Sequence, residues 1–206
     1  MDLNMEFKKS AELDEKIIRG QMGLIFAEGF YQWLKALDKD PHRLARAFAH
    51  MFDLNRFYVA IVDGKIAAIC AVSDDASKTV SFDAKILRKH LGFIKGQIAY
   101  IMLKKHLVDK KYPVEIPENC SVIEFVATKV DFRGQGVAGA LLTDAMANSE
   151  HDQFILEVAD TNTRAVNLYK RLGFREIHRV PAPHAKRSGF DFYLYMKNQK
   201  TEVLDK

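Results

Sequence analysis

The chain has 206 residues, 48% of them hydrophobic, and a formal net charge of +4. This length suits one well-packed domain and is short for two, so we expect a single domain over residues 1–206. The small positive charge is spread along the chain without a nucleic-acid recognition motif, which gives no reason to expect a nucleic-acid partner.

The sequence also argues against a secreted or membrane protein. The first ten residues lack the apolar core of a signal peptide, and no apolar run is long enough to cross a bilayer. The two cysteines, Cys70 and Cys120, lie in apolar runs without the spacing of metal ligands. We expect buried, reduced thiols, no metal site and no membrane partner, in a cytoplasmic protein.

The amino-terminal quarter is expected to be mainly helical. Residues 1–9 form either a short strand or a disordered lead, and a helical pattern begins at Ser10. A second helix is expected around Gln32 to Leu37, and a third from Pro41, which suits a first helical turn, through Phe52. The apolar face of the first helix comprises Ile17, Ile18, Met22, Ile25, Phe26 and Phe30.

A β-hairpin is expected next. The runs Phe57–Val62 and Lys65–Val72 are apolar and rich in β-branched residues, and Asp63-Gly64 joins them. Asp-Gly between two such runs is among the better hairpin signals. We therefore expect two antiparallel strands.

Residues 83–111 are expected to form a helical insertion. Its two amphipathic helices are Lys85–Leu91 and Ile98–Leu107, with Gly92 and Gly96 at or between them. Four interpretations remain open for this insertion: a packed surface element, a lid over a binding site, a surface that pairs two chains, or a basic amphipathic surface that touches membrane. A homodimer is therefore compatible with the sequence.

The segment Ser121–Ala147 changes its hydrophobic period across a glycine-bearing turn. Val122–Thr128 is a short apolar run typical of a buried strand, and the turn Arg133–Gly139 leads into a helix. Small residues let a ligand approach the backbone, and the free N–H groups of a first helical turn favour an anion such as phosphate. The turn is not a Walker P-loop, since no Gly-Lys-Ser/Thr follows, and it fits a dinucleotide fingerprint poorly.

The remaining elements alternate between strand and helix. Phe154–Val158 is a second apolar strand, expected parallel to the first because a helix connects them. Asn162–Leu172 is the next helix. Two late strands, Phe174–Ile177 and Phe190–Met196, flank a basic, proline-containing loop at Arg179–Arg187.

Two motifs in this order resemble a known family. The first is R-x-x-G-x-A at Arg133, Gly136 and Ala138, and the second is N-x-x-A-x-x-L-Y-x-x-L-G-F at Asn162–Phe174. Together they resemble the GNAT superfamily of N-acetyltransferases. The resemblance implies an α/β fold with a mixed central sheet flanked by helices, in which a splayed pair of parallel strands holds acetyl-CoA. It also implies transfer of the acetyl group to a primary amine.

The resemblance assigns cofactor contacts along the turn, the strand before it and the later helix. The CoA pyrophosphate would lie on backbone N–H groups of Arg133, Gly134, Gln135, Gly136, Val137, Ala138 and Gly139. The backbone of Val126, Ala127 and Thr128 would face the pantetheine and acetyl end, where an N–H polarises the thioester carbonyl. Asn162 is either a cofactor contact or the N-cap of its own helix, and Asn167 is either a second contact or a solvated residue.

The resemblance also suggests which side chains carry the chemistry. Tyr169 would donate a proton to the departing CoA sulfur. Glu124 would take the proton that the amine must lose, with Glu157 and His106 as weaker candidates. Attack is expected to be direct, in a ternary complex, because both cysteines lie on strands that are expected to be buried.

The acceptor amine is not specified by the sequence. A polyamine, an aminoglycoside, an amino acid, a peptide N-terminus and a protein lysine are all compatible with it. Phe30, Tyr31 and Trp33 are either core aromatics or contacts of the acceptor groove that the family places beside the first helices. The alternative to an enzyme is a non-catalytic acyl-CoA-binding or regulatory module that kept the phosphate turn.

Overall fold

The computed structural model describes residues 4–73, 78–183 and 189–199. Within these ranges the strands are β1 (Met5–Lys9), β2 (Phe57–Val62), β3 (Lys65–Ser73), β4 (Cys120–Thr128), β5 (Gln153–Ala159), β6 (Arg175–Pro181) and β7 (Phe192–Gln199). The helices are α1 (Glu15–Gly29), α2 (Tyr31–Leu34), α3 (Pro41–Phe48), α4 (Ala84–Leu91), α5 (Phe93–Leu103), α6 (Val137–Ala147) and α7 (Thr163–Arg171). Short 3₁₀ turns lie at Ser10–Glu12 and Val130–Phe132, and a π-helical turn at Lys104–Val108 extends α5.

Most helices begin where the sequence supplies a capping side chain. Asp14, Asp40 and Asp83 each accept a hydrogen bond from a backbone N–H in the first turn of α1, α3 and α4. Pro41 occupies the first position of α3, as expected. α4 ends at Gly92, whose φ of 84° turns the chain sharply into α5.

The strands form one mixed sheet in the order β1-β2-β3-β4-β5-β7-β6. The pairs are antiparallel except for β4 and β5, which run parallel because α6 carries the chain back across the sheet between them. The predicted mixed sheet flanked by helices is therefore confirmed, and so is the parallel pair.

Helices cover both faces of this sheet. One core lies between the sheet and α1 to α5, and its large buried side chains include Phe48, Phe52 and Phe57. The other core lies between the sheet and the pair α6 and α7, and includes Leu141 and Phe154. We call these the α1–α5 face and the α6–α7 face.

The parallel strands separate halfway along their length. Their last paired residues are Ile123 and Leu156, whereas β5 stays paired with β7 as far as Ala159. Just beyond this point β4 contains a bulge, where Phe125 has a φ of 53° and the register with β3 shifts. An opening therefore lies between the carboxyl-terminal halves of β4 and β5.

The start of the first helix differs from the sequence prediction. Ser10 does not begin α1, because its hydroxyl donates to the carbonyl of Phe57 (3.1 Å) and fixes the chain beside β2. α1 starts only after Asp14, which supplies the cap. Ile17 was expected on the buried face, but it is 61% exposed, because the buried face of α1 runs through Ile18, Met22 and Phe26 and Ile17 lies to one side of it.

The other elements lie close to their predicted positions. The hairpin of β2 and β3 is confirmed, with positive φ at both Asp63 and Gly64. α3 ends at Phe48 rather than at Phe52, which instead forms an isolated bridge with Val80. The insertion contains two helices, as expected, but α5 begins at Phe93 rather than at Ile98, and Gly96 lies within it because it packs against α4. Of the predicted basic loop, residues 179–181 belong to β6 and residues 184–188 lie outside the described ranges.

Candidate active site

The glycine-bearing turn between β4 and α6 is fixed from within and open on its outer side. Arg133 Nε donates to the carbonyl of Thr128 (3.1 Å), and Gln135 Nε2 donates to a backbone carbonyl four residues earlier (2.8 Å). Gly134 and Gly136 have φ of 78° and 81°, which residues with a side chain rarely adopt. A Cβ at either glycine would meet no described atom within 4 Å. A ligand can therefore reach this backbone directly.

The helix that follows the turn begins without a capping side chain. α6 starts at Gly136, whereas α1, α3, α4 and α7 are each capped by an aspartate or asparagine. The N–H groups of Val137, Ala138 and Gly139 precede the first intrahelical bond, from Ala140 N to the Gly136 carbonyl (3.1 Å). They carry the positive end of the helix dipole, so this terminus suits a phosphate better than a capped one does.

Gly139 has an additional reason to be small. A Cβ at this position would lie 3.2 Å from Cδ1 of Leu168 on α7. The missing side chain lets α6 approach α7 closely. A contact of Gly139 with a cofactor would therefore involve its backbone N–H and not the space around its Cα.

The opening between the parallel strands is lined by the predicted strand residues. Val126, Ala127 and Thr128 lie beyond the last residue of β4 that pairs with β5. Their other edge still pairs with β3, since Ala127 lies opposite Ile69. In the described ranges the edge that faces the opening has no partner strand, so its backbone groups are left to an extended ligand.

Tyr169 lies on the α6–α7 face near the bulge. It is only 6% exposed, and its ring packs on Phe174 with the centroids 6.0 Å apart. Burial raises the pKa of Tyr169, and the thiol of Cys70 on β3 adds to the rise. On β3, Ala71 pairs with Glu124 and Ile69 pairs with Ala127. Cys70 lies between Ala71 and Ile69, so the bulge residues Phe125 and Val126 lie opposite it. The raised pKa keeps the hydroxyl of Tyr169 protonated at neutral pH.

The two asparagines of α7 differ in their surroundings. Asn162 Oδ1 accepts a hydrogen bond from Ala165 N (3.3 Å), so it caps its own helix. Asn167 is exposed. The capping role of Asn162 leaves its side-chain N–H₂ group available to a ligand.

Glu124 lies at the opening on the opposite face of the sheet. Its neighbour Ile123 belongs to the α6–α7 core, and side chains alternate along a strand, so Glu124 points to the α1–α5 face. Both carboxylate oxygens accept a hydrogen bond of 2.7 Å, one from Thr79 Oγ1 and one from the hydroxyl of Tyr112. Burial, with the charge of Glu124, raises the pKa of Tyr112, so this hydroxyl stays a donor.

Glu157 lies beside Glu124, because the last paired residues of β4 and β5 are Ile123 and Leu156 and each glutamate is the next residue on its strand. Its carboxylate accepts a hydrogen bond from the hydroxyl of Tyr195 and forms an ion pair with Lys110 (3.1 Å). The Lys110 ammonium also lies over the ring of Tyr112, 4.6 Å from its centroid. Burial and the bond to Glu157 raise the pKa of Tyr195. These contacts join the two glutamates into one polar pocket.

Among the described residues, one of the two carboxylates in this pocket has an ion-pair partner and the other has none. Glu124 is bound by neutral hydroxyls, whereas Glu157 is neutralised by Lys110. The walls are aromatic, since the rings of Tyr112 and Tyr195 meet edge to face with centroids 6.5 Å apart.

A third carboxylate near β4 lacks a partner among the described residues. Glu28 Oε2 is buried and makes no hydrogen bond there. The next residue, Gly29, packs so closely on β4 that a Cβ would lie 2.9 Å from Cβ of Ala127. Glu28 therefore lies at the end of α1 on the α1–α5 face, with one acceptor oxygen unused.

Sequence reasoning did not identify several residues of this pocket. Thr79, Lys110 and Tyr112 lie outside the helices and strands, so no periodic pattern marked them. Tyr195 carried a usable signal, since it alternates with the core residues Leu194 and Met196 along β7. Of the weaker base candidates, the structure brings Glu157 to Glu124, whereas His106 is exposed on the insertion.

The aromatic residues after α1 were expected either in the core or at an acceptor groove, and the structure matches neither expectation fully. Phe30 and Tyr31 are partly buried and pack against the α1–α5 core, and the ring of Phe30 lies 6.2 Å from that of Phe125 on the bulge. Trp33 is exposed. Phe30 thus packs between the α1–α5 core and Phe125, the residue that follows Glu124 on β4.

Both cysteines are buried and free, and burial raises the pKa of each thiol. Within the described ranges no cluster of three His, Cys, Asp or Glu side chains could hold a metal ion. None of the described helices combines the length and the apolar character that crossing a bilayer requires.

Solved structures with this fold include several acetyltransferases. An N-acetyltransferase from Staphylococcus aureus matches with a TM-score of 0.56 and 18% identity, covering 94% of this chain and 100% of the other. A GNAT-type N-acetyltransferase from Kribbella flavida matches with a TM-score of 0.54 and 18% identity, covering 95% and 97%. The ribosomal-protein-S18-alanine N-acetyltransferase of Escherichia coli matches with a TM-score of 0.53 and 13% identity, covering 98% of each chain. At these identities the likeness shows the fold alone.

The sequence itself gives a more specific result. No curated protein sequence matches the chain significantly. A family model described as the acetyltransferase (GNAT) family matches residues 25–174, which include the turn, both parallel strands and Tyr169. Because this match covers most of the chain, the protein belongs to the GNAT acetyltransferase family.

Proposed function

We propose that this protein transfers an acetyl group from acetyl-CoA to a primary amine by direct attack in a ternary complex. The observation that carries the proposal is the meeting of three features at one opening in the sheet. A phosphate-type turn leads to it, Tyr169 approaches it from the α6–α7 face, and Glu124 approaches it from the α1–α5 face. Donor and acceptor can thus enter from opposite faces.

The residues at the opening fit acetyl-CoA. The turn from Arg133 to Gly136 and the first N–H groups of α6 would hold the pyrophosphate, since no side chain caps that terminus. The free edge of β4 at Val126–Thr128 would pair with the pantetheine arm, and an N–H there would polarise the thioester carbonyl. Asn162 and Asn167 are further contacts in this proposal. When bound, acetyl-CoA supplies the activated acetyl group.

The amine would bind in the pocket of Glu124 and Glu157. Because Lys110 neutralises Glu157, the pocket favours one ammonium group over an acceptor with two positive charges close together. Glu124 takes the proton that the ammonium must lose before its nitrogen can attack. The geometry supports an amine of this kind without fixing the molecule that carries it.

The bond changes require one base and one acid. The nitrogen of the amine forms a bond to the acetyl carbon, the bond between that carbon and the CoA sulfur breaks, and Tyr169 donates its proton to the sulfur. After the attack the nitrogen loses its second proton, which replaces, by way of solvent, the proton that Tyr169 gave up. The raised pKa of Tyr169 agrees with a donor role. A route through an acetylated cysteine is disfavoured, because Cys70 and Cys120 are buried and burial raises the pKa of each thiol.

The test is an acceptor screen that follows release of CoA thiol. The panel should pair amines that carry one positive charge with diamines of matched length. The proposal predicts thiol release with at least one monoamine and initial-rate patterns of a ternary complex. Binding of acetyl-CoA without thiol release for any amine would favour a non-catalytic acyl-CoA-binding module, and ping-pong patterns would contradict direct attack.

A further inference from the structure

The helix α5 carries its small residues inward and most of its large apolar residues outward. Its buried residues are Gly96, Ala99 and Leu103. The exposed ones form what we call the outer face of α5, and their exposed fractions range from 39% to 73%. The outer face comprises Phe93, Ile94, Ile98, Ile101 and Met102. A helix that only covers its own core would have the opposite arrangement.

Packing against α4 explains the inner face. A Cβ at Gly96 would lie 2.5 Å from the Cα of Arg88, so only glycine lets the two helices approach this closely. Arg88 also donates to Oε1 of Gln97 (2.9 Å) and lies over the ring of Phe93. The side chains of the outer face, in contrast, are exposed and add little to the packing of the core. Contiguous apolar surface of this kind usually marks a contact with something else.

The helices α4 and α5 and the turn after α5 carry an excess of positive charge, although Asp83 and Asp109 flank them and Asp38 interacts with Lys95. Residues 84–108 contain six lysines and arginines and no aspartate or glutamate. This excess is larger than the net charge of the whole chain, +4, so the rest of the chain is net acidic. The exposed cations beside the outer face are Lys85, Lys89, Lys95, Lys104 and Lys105.

We propose that α4 and α5 bind the surface of a lipid bilayer that contains anionic headgroups. The large apolar side chains of α5 enter the interface, and the surrounding lysines contact the headgroups. Gly92, with its φ of 84°, places Phe93 and Ile94 at a corner of the molecule, where both are 73% exposed. With 11 residues, α5 is too short to cross the bilayer and lies on it.

A second copy of the chain is the less favourable occupant. A two-fold pairing of α5 would place the same patch on both sides of the interface and bring lysines against lysines. The sequence left this insertion open between packing, a lid, pairing and membrane contact. The exposed apolar side chains and the excess of lysines and arginines favour membrane contact. This inference is independent of the proposed acetyl transfer.

The experiment is vesicle co-sedimentation of the full chain, with vesicles of phosphatidylcholine alone and with added phosphatidylglycerol. We expect binding to the anionic vesicles, weakened by salt, and little to the neutral ones. The patch variants are Ile94→Ser with Ile98→Ser, and Lys104→Glu with Lys105→Glu. Each should lower partitioning at least about tenfold.

Matched variants separate the patch from general effects. Ile17→Ser with Ile177→Ser removes two other exposed isoleucines, and Lys16→Glu with Lys65→Glu makes the same change in net charge elsewhere. Both should bind as the wild type does, and melting temperatures confirm that every variant is folded. Absence of binding to anionic vesicles, or equal loss in patch and control variants, would overturn the proposal. Self-association in sedimentation velocity that is lost in the isoleucine patch variant, without vesicle binding, would identify a second copy as the occupant.

Discussion

Replacing Gly136 by alanine separates the cofactor role of the turn from its role in the fold. Gly136 has a φ of 81°, and a Cβ there would meet no described atom within 4 Å. Gly64, in the hairpin turn of β2 and β3, has a φ of 71° and the same free space around its Cβ. Gly64→Ala therefore imposes the same kind of backbone strain at a position with no proposed ligand.

The expected cost in stability is similar for the two variants. An alanine in the left-handed region costs about 1 kcal/mol relative to glycine, and no clash adds to it. For a chain of this size that corresponds to a drop in Tm of about 2–4 °C. The cost in acetyl-CoA affinity should differ. A methyl group at Gly136 would occupy the space where phosphate approaches the backbone, so we expect at least a tenfold loss, about 1.4 kcal/mol.

Thermal unfolding and calorimetric titration of wild type, Gly136→Ala and Gly64→Ala measure both quantities. The account requires equal small losses of Tm and a loss of affinity in Gly136→Ala alone. A folded Gly136→Ala that binds acetyl-CoA as tightly as the wild type would refute the phosphate-turn assignment. A much larger loss of Tm in Gly136→Ala than in Gly64→Ala would show that the strain argument is wrong.

Three further predictions follow from the side chains. Tyr169→Phe should lower kcat about a hundredfold and leave the Kd for acetyl-CoA nearly unchanged, because only the proton donor is lost; unchanged kcat would exclude Tyr169 from the mechanism. Glu124→Gln should lower kcat/KM for the amine about a hundredfold while the hydroxyl of Tyr112 keeps the side chain in place; a wild-type value would transfer the base role elsewhere. Burial lowers the pKa of His50, whose Nε2 accepts a hydrogen bond from Asp83 N (2.9 Å). When the pH falls below about 6.5, His50 therefore binds a proton in the unfolded chain but not in the folded chain, and the folded state loses stability. The urea concentration at the unfolding midpoint should therefore be lower at about pH 5.5 than at about pH 7.5. An equally large decrease in the His50→Gln variant would exclude His50 as the cause.

The parts of the fold that the sequence predicted are those with a local cause. Asp63-Gly64 marks its hairpin because a tight turn needs positive φ at both residues. The parallel pair follows from an apolar strand, a helix and another apolar strand in succession. The start of α1 was misplaced because Ser10 is held by Phe57, a residue 47 positions away, which no local pattern reveals.

The candidate site divides in the same way. The residues around Gly136 and Tyr169 could be named from the sequence because they lie in two local motifs that resemble those of the GNAT family, one in a turn and one in a helix. The pocket around Glu124 and Glu157 could not, because it depends on the register of two strands and on a loop that brings Lys110 to Glu157. The outward face of α5 was also hidden. Apolar residues lie around most of its circumference, so only the packing shows which side is left exposed.

The central claim is that the opening between β4 and β5 binds acetyl-CoA for transfer to an amine. The most direct measurement is a calorimetric titration of the purified protein with acetyl-CoA and with free CoA. The account predicts saturable binding of both with a Kd on the order of micromolar. A folded protein that binds neither would contradict it and would leave the fold without the expected cofactor.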